Sequence, residues 1–289
     1  MTTEYFMTGL FTHVDDQFNE QGINGKHPQA KLYVSEVITL GLLFALKGGG
    51  NRAFYRWLSR DYGALFPQLP TRVRLFRRLN TYQDLTDTFK AQPSLLGVID
   101  TYGIERIHPR REGRSEQQIG RKGLSNQRWI VGGKLCILLN NIGLVVDWDC
   151  DTANVYDGSA FQKIVDGVAD QMVVFADDGL DKLDWHPENL KVCQRGECNF
   201  RMLVETVLSM LTYVCHFKKV RHRVWSYFTM RLGFTMALFN ILAQCHGLKP
   251  DKTGLCPFPS PNAACKLAPK VNMVNMVGGV NFQFILGTV

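Results

Sequence analysis

The chain has 289 residues, 45% of them apolar, and its 33 Lys and Arg outweigh 26 Asp and Glu for a net charge of +7. That length and apolar content suffice for one large core or two modest ones, and the basic excess permits a nucleic-acid partner without requiring one. Eight cysteines with no CxxC pair argue against a disulfide framework and favour reduced thiols in a cytosolic protein.

The opening MTTEYFMTGLFTHVDD lacks the basic segment and long apolar run of a signal peptide, so a cytoplasmic protein is expected. Residues 1–90 are expected to be helical. KLYVSEVITLGLLFALKGG has an apolar pattern of helix length, ended by Gly48, Gly49 and Gly50. RAFYRWLSRDYGALF and PTRVRLFRRLNTY follow. From Arg52 to Arg78 there are seven arginines and a single acid, interleaved with Phe54, Tyr55, Trp57, Leu75 and Phe76. That is the pattern of amphipathic helices with a basic outer face, suited either to solvent or to nucleic acid.

At LLGVID the pattern changes, and 95–101 read as a short buried strand ending at Asp100. The polar stretch 102–128 suits a long exposed connection. WIVGGKLCILLNN and GLVVDWDC bracket a turn at Asn140, Asn141 and Gly143, a hairpin signal. YDGSAFQKIVDGV has helical spacing behind Asp157, a candidate N-cap. QMVVFAD is a strand delivering Asp177 at its end, LKVCQ a short strand, and RMLVETVLSMLTYV a helix. VWSYFTMRLGFTMALFNILAQCHG is long and apolar but holds Arg231, Asn240 and Gln244. A central charge costs a spanning helix at least ~2.5 kcal/mol, so a packed helix is expected rather than a membrane span. Trp129, Trp148, Trp185 and Trp225 could stack on flipped or frayed bases, but at strand and helix positions they are expected in the core or at its boundary.

This order of elements describes an α/β fold, a mixed sheet with helices on its faces and its parallel strand ends at one edge. Asp100 and Asp177 both follow apolar strands and would meet if those strands are parallel neighbours. Glu205 lies on the polar stripe of its helix with Ser209, Thr212 and His216, where an exposed glutamate and an active-site acid are both open readings. Three converging carboxylates suit Mg²⁺, a hard ion that takes oxygen ligands. Two such ions about 3.5–4 Å apart can drive in-line displacement at phosphorus. Histidine and cysteine form no comparable cluster for zinc. Basic residues flank the acids: eight Arg or Lys against three acids from Glu105 to Lys134, and eight against two from Lys191 to Arg231. Lys218, Lys219, Arg221 and Arg223 form the densest set, and with Lys134 and Arg201 they are candidate phosphate contacts.

The blocks VID at Asp100, VVFADDG at Asp177 and RMLVETVLSML at Glu205 resemble the DDE transposases of bacterial insertion sequences, in the branch with a ribonuclease H-like catalytic domain. The Gly-x-Lys strand and Asn-Val-x-Asp segment within GGKLCILLNNIGLVVDWDCDTANVYDGSAF, and VRHRVWSYFTMRLGFTMALFNILA, resemble linking blocks of the same family. The resemblance runs from about residue 30 to 247. It implies a ribonuclease H-like mixed sheet flanked by helices over 91–247, behind a helical DNA-end-binding region at 1–90. A divergent tail, 248–289, follows. It further implies catalytic, metal-ligating Asp100, Asp177 and Glu205, with Arg201 matching the arginine four residues before the glutamate. Mg²⁺ is the implied cofactor, with Mn²⁺ as substitute. The implied partners are double-stranded DNA, with terminal inverted repeats and a target, bound by a homodimer or higher multimer in the nucleoid. Asp178 and Thr212 depart from the family pattern, which has a basic or small residue and a lysine there. A metal-dependent nuclease on the same scaffold and a non-catalytic DNA-binding derivative are the competing functions.

Overall fold

The computed structural model describes residues 3–26, 28–113, 120–125, 128–177, 187–193, 200–217, 222 and 224–245. The N-terminal helices are α1 (Thr3–Glu20), α2 (Val34–Lys47), α3 (Asn51–Asp61) and α4 (Arg72–Thr81), as their patterning predicts. In α1, Met7, Leu10, Val14 and Phe18 recur at helical spacing and are buried. Helix α2 is buried along most of its length, so its stability comes from packing on all sides. The Glu36 carboxylate accepts the Tyr33 N–H at 2.7 Å at its start, and Gly48 ends it at φ +73°, a conformation that favours glycine. In α3 and α4, Phe54, Leu58, Leu75, Phe76 and Leu79 are buried while Arg52, Arg56, Arg60, Arg74 and Arg77 face outward.

The sheet is built from β1 (Leu96–Ile107), β2 (Arg121–Ser125), β3 (Arg128–Asn140), β4 (Val145–Thr152), β5 (Val173–Asp177) and β6 (Leu190–Cys193). Pairing runs β4-β3-β1-β5-β6, with β2 beside the first half of β3. The β4–β3 and β3–β1 ladders are antiparallel, while β1–β5 and β5–β6 are parallel. The fold is therefore mixed α/β, as expected. The predicted hairpin turn is present: Gly143 takes φ +80°, and the Asn140 Oδ1 accepts the N–H groups of Ile142 and Leu144 at 3.2 and 2.9 Å.

Three local expectations are corrected. Strand β1 does not end near Asp100 but continues to Ile107, because the long β3 offers a partner along that whole length. The stretch 102–128 is therefore not one exposed connection; it holds the rest of β1, a 3-10 turn at Pro109–Arg111 and β2. Helix α5 (Asp157–Asp166) is capped by Tyr156 in extended conformation, and Asp157 is its first helical residue rather than its N-cap.

Both sheet faces are covered. On one side, α5 buries Phe161, Ile164 and Val165, and Lys163 reaches Asp149 of β4 at 2.9 Å. On the other lie α6 (Phe200–Val214) and α7 (Trp225–Cys245). Tyr102 of β1 packs its ring 5.9 Å from Phe217 just beyond α6, and Gly133 of β3 faces Phe228 of α7. Helix α7 also packs on α2 and on the segment Gln83–Phe89, so one core runs from the N-terminal helices into the sheet. At its crossing with α2, a Cβ on Gly41 would overlap the Phe234 ring.

Two of the polar interruptions of α7, Asn240 and Arg231, are structural anchors. Asn240, 1% exposed, accepts the Val145 N–H at 2.8 Å and donates to the carbonyls of Val145 and Phe89 at 2.7 and 2.9 Å. It ties the helix to β4 and to the segment entering the sheet. Arg231, 2% exposed, donates to the Ala45 carbonyl at 2.9 Å and stacks over Phe44 at 4.3 Å. No helix among the described residues is long and apolar enough to cross a membrane.

Candidate active site

Strand β5 delivers Asp177 because Val174 and Ala176 are buried and the chain emerges at the next residue, which is exposed. Its register with β1 pairs Leu96 with Val173, Gly97 with Val174 and Val98 with Phe175. Carried two residues past the last pair, that register sets Asp100 level with Asp177 on neighbouring parallel strands. Paired strands lie about 4.8 Å apart, and the ladder between these two ends two residues short of this level. Asp100 thus stands within β1 on the β3 side, where it pairs with Ile137, yet just past the last pair on the β5 side. Its Oδ1 accepts the Thr101 N–H at 2.7 Å, which steadies the half-buried carboxylate.

Side chains two apart on a strand share a face, so Asp100 projects with Val98, Tyr102 and Ile104. The Tyr102–Phe217 contact identifies that face as the one covered by α6. Helix α6 buries Leu203, Val204, Val207 and Leu211, and its Leu203 lies against the hairpin turn at Gly143. Glu205 stands on the outer flank of the helix, exposed with Ser209. The structure therefore sets the two aspartates level and lays the glutamate-bearing helix over the same face. It does not draw all three acids together: among the described residues, no group of three His, Cys, Asp or Glu side chains is arranged to hold a metal.

Lys134 is not brought to this pair. It lies three residues along β3 from Ile137, an odd number, so it projects from the opposite face. There its Nζ donates to the Val155 carbonyl at 3.4 Å. Arg201 is the second residue of α6, and its side chain lies outside the described residues, as do Asp178, Lys218, Lys219, Arg221 and Arg223. Thr212 is half-buried and spends its hydroxyl on the Leu208 carbonyl at 2.8 Å.

Farther along the same face is a buried cationic joint that periodicity did not reveal. Arg106 stacks over Phe228 at 4.7 Å and donates one nitrogen to the His222 carbonyl. Among the described residues, its Nε and Nη1 are buried without an acceptor, as is the Nε of Arg231. Burial lowers the Arg106 and Arg231 guanidinium pKa values to about 10. His222 lies edge-on to Phe44 at 5.7 Å. Burial, then the charges of Arg231 and Arg106, depress its pKa to about 4, so it is neutral at pH 7. Burial also pushes the Cys215 thiol up to about 12, which keeps it protonated. Arg106 carries no sequence signal beyond one charge in a polar stretch. Trp129 also departs from expectation: it is 58% exposed on β3 rather than at the core or its boundary.

No protein-family model matches the chain, and no curated protein matches it in sequence.

Proposed function

We propose that this chain is a DNA transposase of the DDE type, with Asp100, Asp177 and Glu205 as its acidic centre and a ribonuclease H-like sheet as its scaffold. One observation carries the proposal: the β1–β5 register levels Asp100 with Asp177 where their shared ladder stops, beneath the helix that bears Glu205. The sheet's passage from antiparallel to parallel pairing, with helices on both faces, supports the scaffold part of this reading.

The donor set fits a divalent cation. Carboxylate oxygens are the ligands that Mg²⁺ and Mn²⁺ take, and two of these acids are borne by adjacent backbones held in register. Asp100 and Asp177 would hold such an ion, and Glu205, with the longest reach, would join them when ion and DNA bind. When bound, the ion supplies activation of an attacking hydroxyl or water and stabilisation of the leaving oxygen. The chain itself provides aspartates fixed by strand pairing and an exposed approach beside Asp177. DNA enters as a duplex carrying the element's terminal repeats, and the joining step takes a second duplex as target.

The test is cleavage and joining by the purified chain on duplexes bearing the inverted repeats that flank its own coding sequence, in Mg²⁺ or Mn²⁺. End cleavage followed by joined product supports the proposal. Cleavage without joining assigns the chain to the nucleases. A retained gel shift with neither reaction makes it a DNA-binding derivative.

A further inference from the structure

The ribbon formed by β2 and the first half of β3 carries an aromatic surface that the acidic centre does not use. Leu124 and Trp129 are cross-strand partners, 52% and 58% exposed. The Lys122 ammonium lies 5.2 Å from the centre of the Trp129 ring. A large exposed aromatic beside an exposed leucine on an edge ribbon marks a surface meant to be covered. Alternation places Lys122, Leu124 and Trp129 on the same side of β3 as Ile137, the partner of Asp100. Eight residues separate Trp129 from Ile137, about 26 Å along a strand.

Charge selects the occupant. Arg121, Lys122 and Arg128 stand on the ribbon, and Arg110 and Arg111 on the adjoining turn, against Glu105 and Glu112. Glu105 lies 4.0 Å from an Arg128 side chain that is 67% exposed, and the Glu112 Oε1 accepts the Lys122 backbone N–H at 3.1 Å. Lys122 shares the Trp129 face, whereas alternation sends Arg121 and Arg128 to the other side of the ribbon. A π-face with a cation beside it, on a basic ribbon, matches a nucleobase with its phosphate, since bases stack on aromatic side chains and phosphates pair with Lys and Arg.

We infer that Trp129, with Leu124 beside it and Lys122 over its ring, is a stacking platform for an unpaired nucleobase of the DNA substrate. Lys122 holds the neighbouring phosphate. The inference rests on the proposed DNA-processing role of Asp100 and Asp177, and it adds a strand-separated feature to the substrate. A base inside a duplex has both faces occupied, whereas a frayed end or single-stranded tail offers a free face. The distance to Asp100 corresponds to about eight nucleotides at 3.4 Å each.

The test compares affinity for a blunt duplex with that for the same duplex carrying an oligothymidine tail, by fluorescence anisotropy with divalent ions chelated. Trp129→Ala is expected to weaken tailed-duplex binding roughly tenfold, in the range measured for loss of a stacking aromatic. It should change blunt-duplex binding by less than about twofold, and Trp129→Phe should retain most of the tailed-duplex affinity. Unchanged affinity in Trp129→Ala, or equal loss on both probes, overturns the inference. So does a variant that binds the tailed duplex normally but turns a self-associated chain into monomers in sedimentation, which would make the patch a contact between copies. Because metal is absent, these outcomes are independent of whether the acids cleave DNA. The wild-type joining assay in Mg²⁺ decides that separately.

Discussion

Helix α7 and the acidic edge both set polar groups against the same sheet, but under opposite constraints. Asn240 and Arg231 are almost wholly buried, and the bonds they make join α7 to β4, to Phe89 and to α2. A buried amide or guanidinium is retained only where such bonds offset its desolvation. Asp177 and Glu205 stand at the surface, on a strand end and a helix flank, where no such desolvation has to be offset. Polar residues in α7 are thus explained by architecture, whereas for the acids at the edge the proposed metal chemistry supplies the explanation.

That contrast breaks if the acids prove structural. Asp177→Asn is expected to lower Mg²⁺-dependent DNA cleavage by about 10³-fold, as loss of a principal electrostatic contact does. Its unfolding free energy in urea should stay within about 0.5 kcal/mol of wild type, as for other surface changes. A large stability loss, or undiminished cleavage, would move Asp177 into the company of Asn240. The reverse pattern is expected in α7. Asn240→Ala should cost about 3 kcal/mol in urea unfolding, because the buried Val145 N–H and Phe89 carbonyl lose their partner. Arg231→Ala should cost about as much by opening a cavity beside Phe44. Arg231→Met should recover most of that loss, because this cation has no carboxylate within 4 Å among the described residues and its charge is a burden. Equal losses in Ala and Met would show that the guanidinium bond to Ala45, and not the filled volume, secures the joint.

What could be read beforehand followed the strength of apolar patterning. Helix α2, the β3–β4 hairpin and β5 come from long apolar runs with turn residues at their ends, and Asp177 is legible because it closes such a run. Strand β2 was not legible because its buried position is Gly123, set against the Ala153 carbonyl, so hydrophobicity does not mark the strand. The extension of β1 was hidden for a related reason, since Gly103, Glu105 and Arg106 dilute an alternation that only β3 pairing completes. The levelling of Asp100 with Asp177 depends on strand adjacency and sense, which no local pattern encodes. The exposure of Trp129 depends on where the covering helices stop. Arg231 and Asn240 were visible as interruptions in an apolar helix, but their partners, 186 and 95 residues away, were not.

The smallest expected effect sharpens the contrast from within the buried region. His222 is held neutral between Arg106 and Arg231, with a folded-state pKa of about 4 against 6.5 for the free side chain. Between those values the unfolded chain binds the proton more readily than the folded one, so stability falls as pH drops from 6.5 towards 4 and is intact above that window. One such group can contribute a slope of at most about 1.4 kcal/mol per pH unit. Carboxylates add their own acid dependence, so the informative quantity is the difference between wild type and His222→Gln in urea unfolding at successive pH values. The variant keeps the backbone carbonyl that accepts from Arg106, and its unfolding free energy should decline less steeply across that window. Parallel curves would mean that His222 escapes the two guanidinium charges on protonation, and that the joint yields locally where the Asn240 anchor does not.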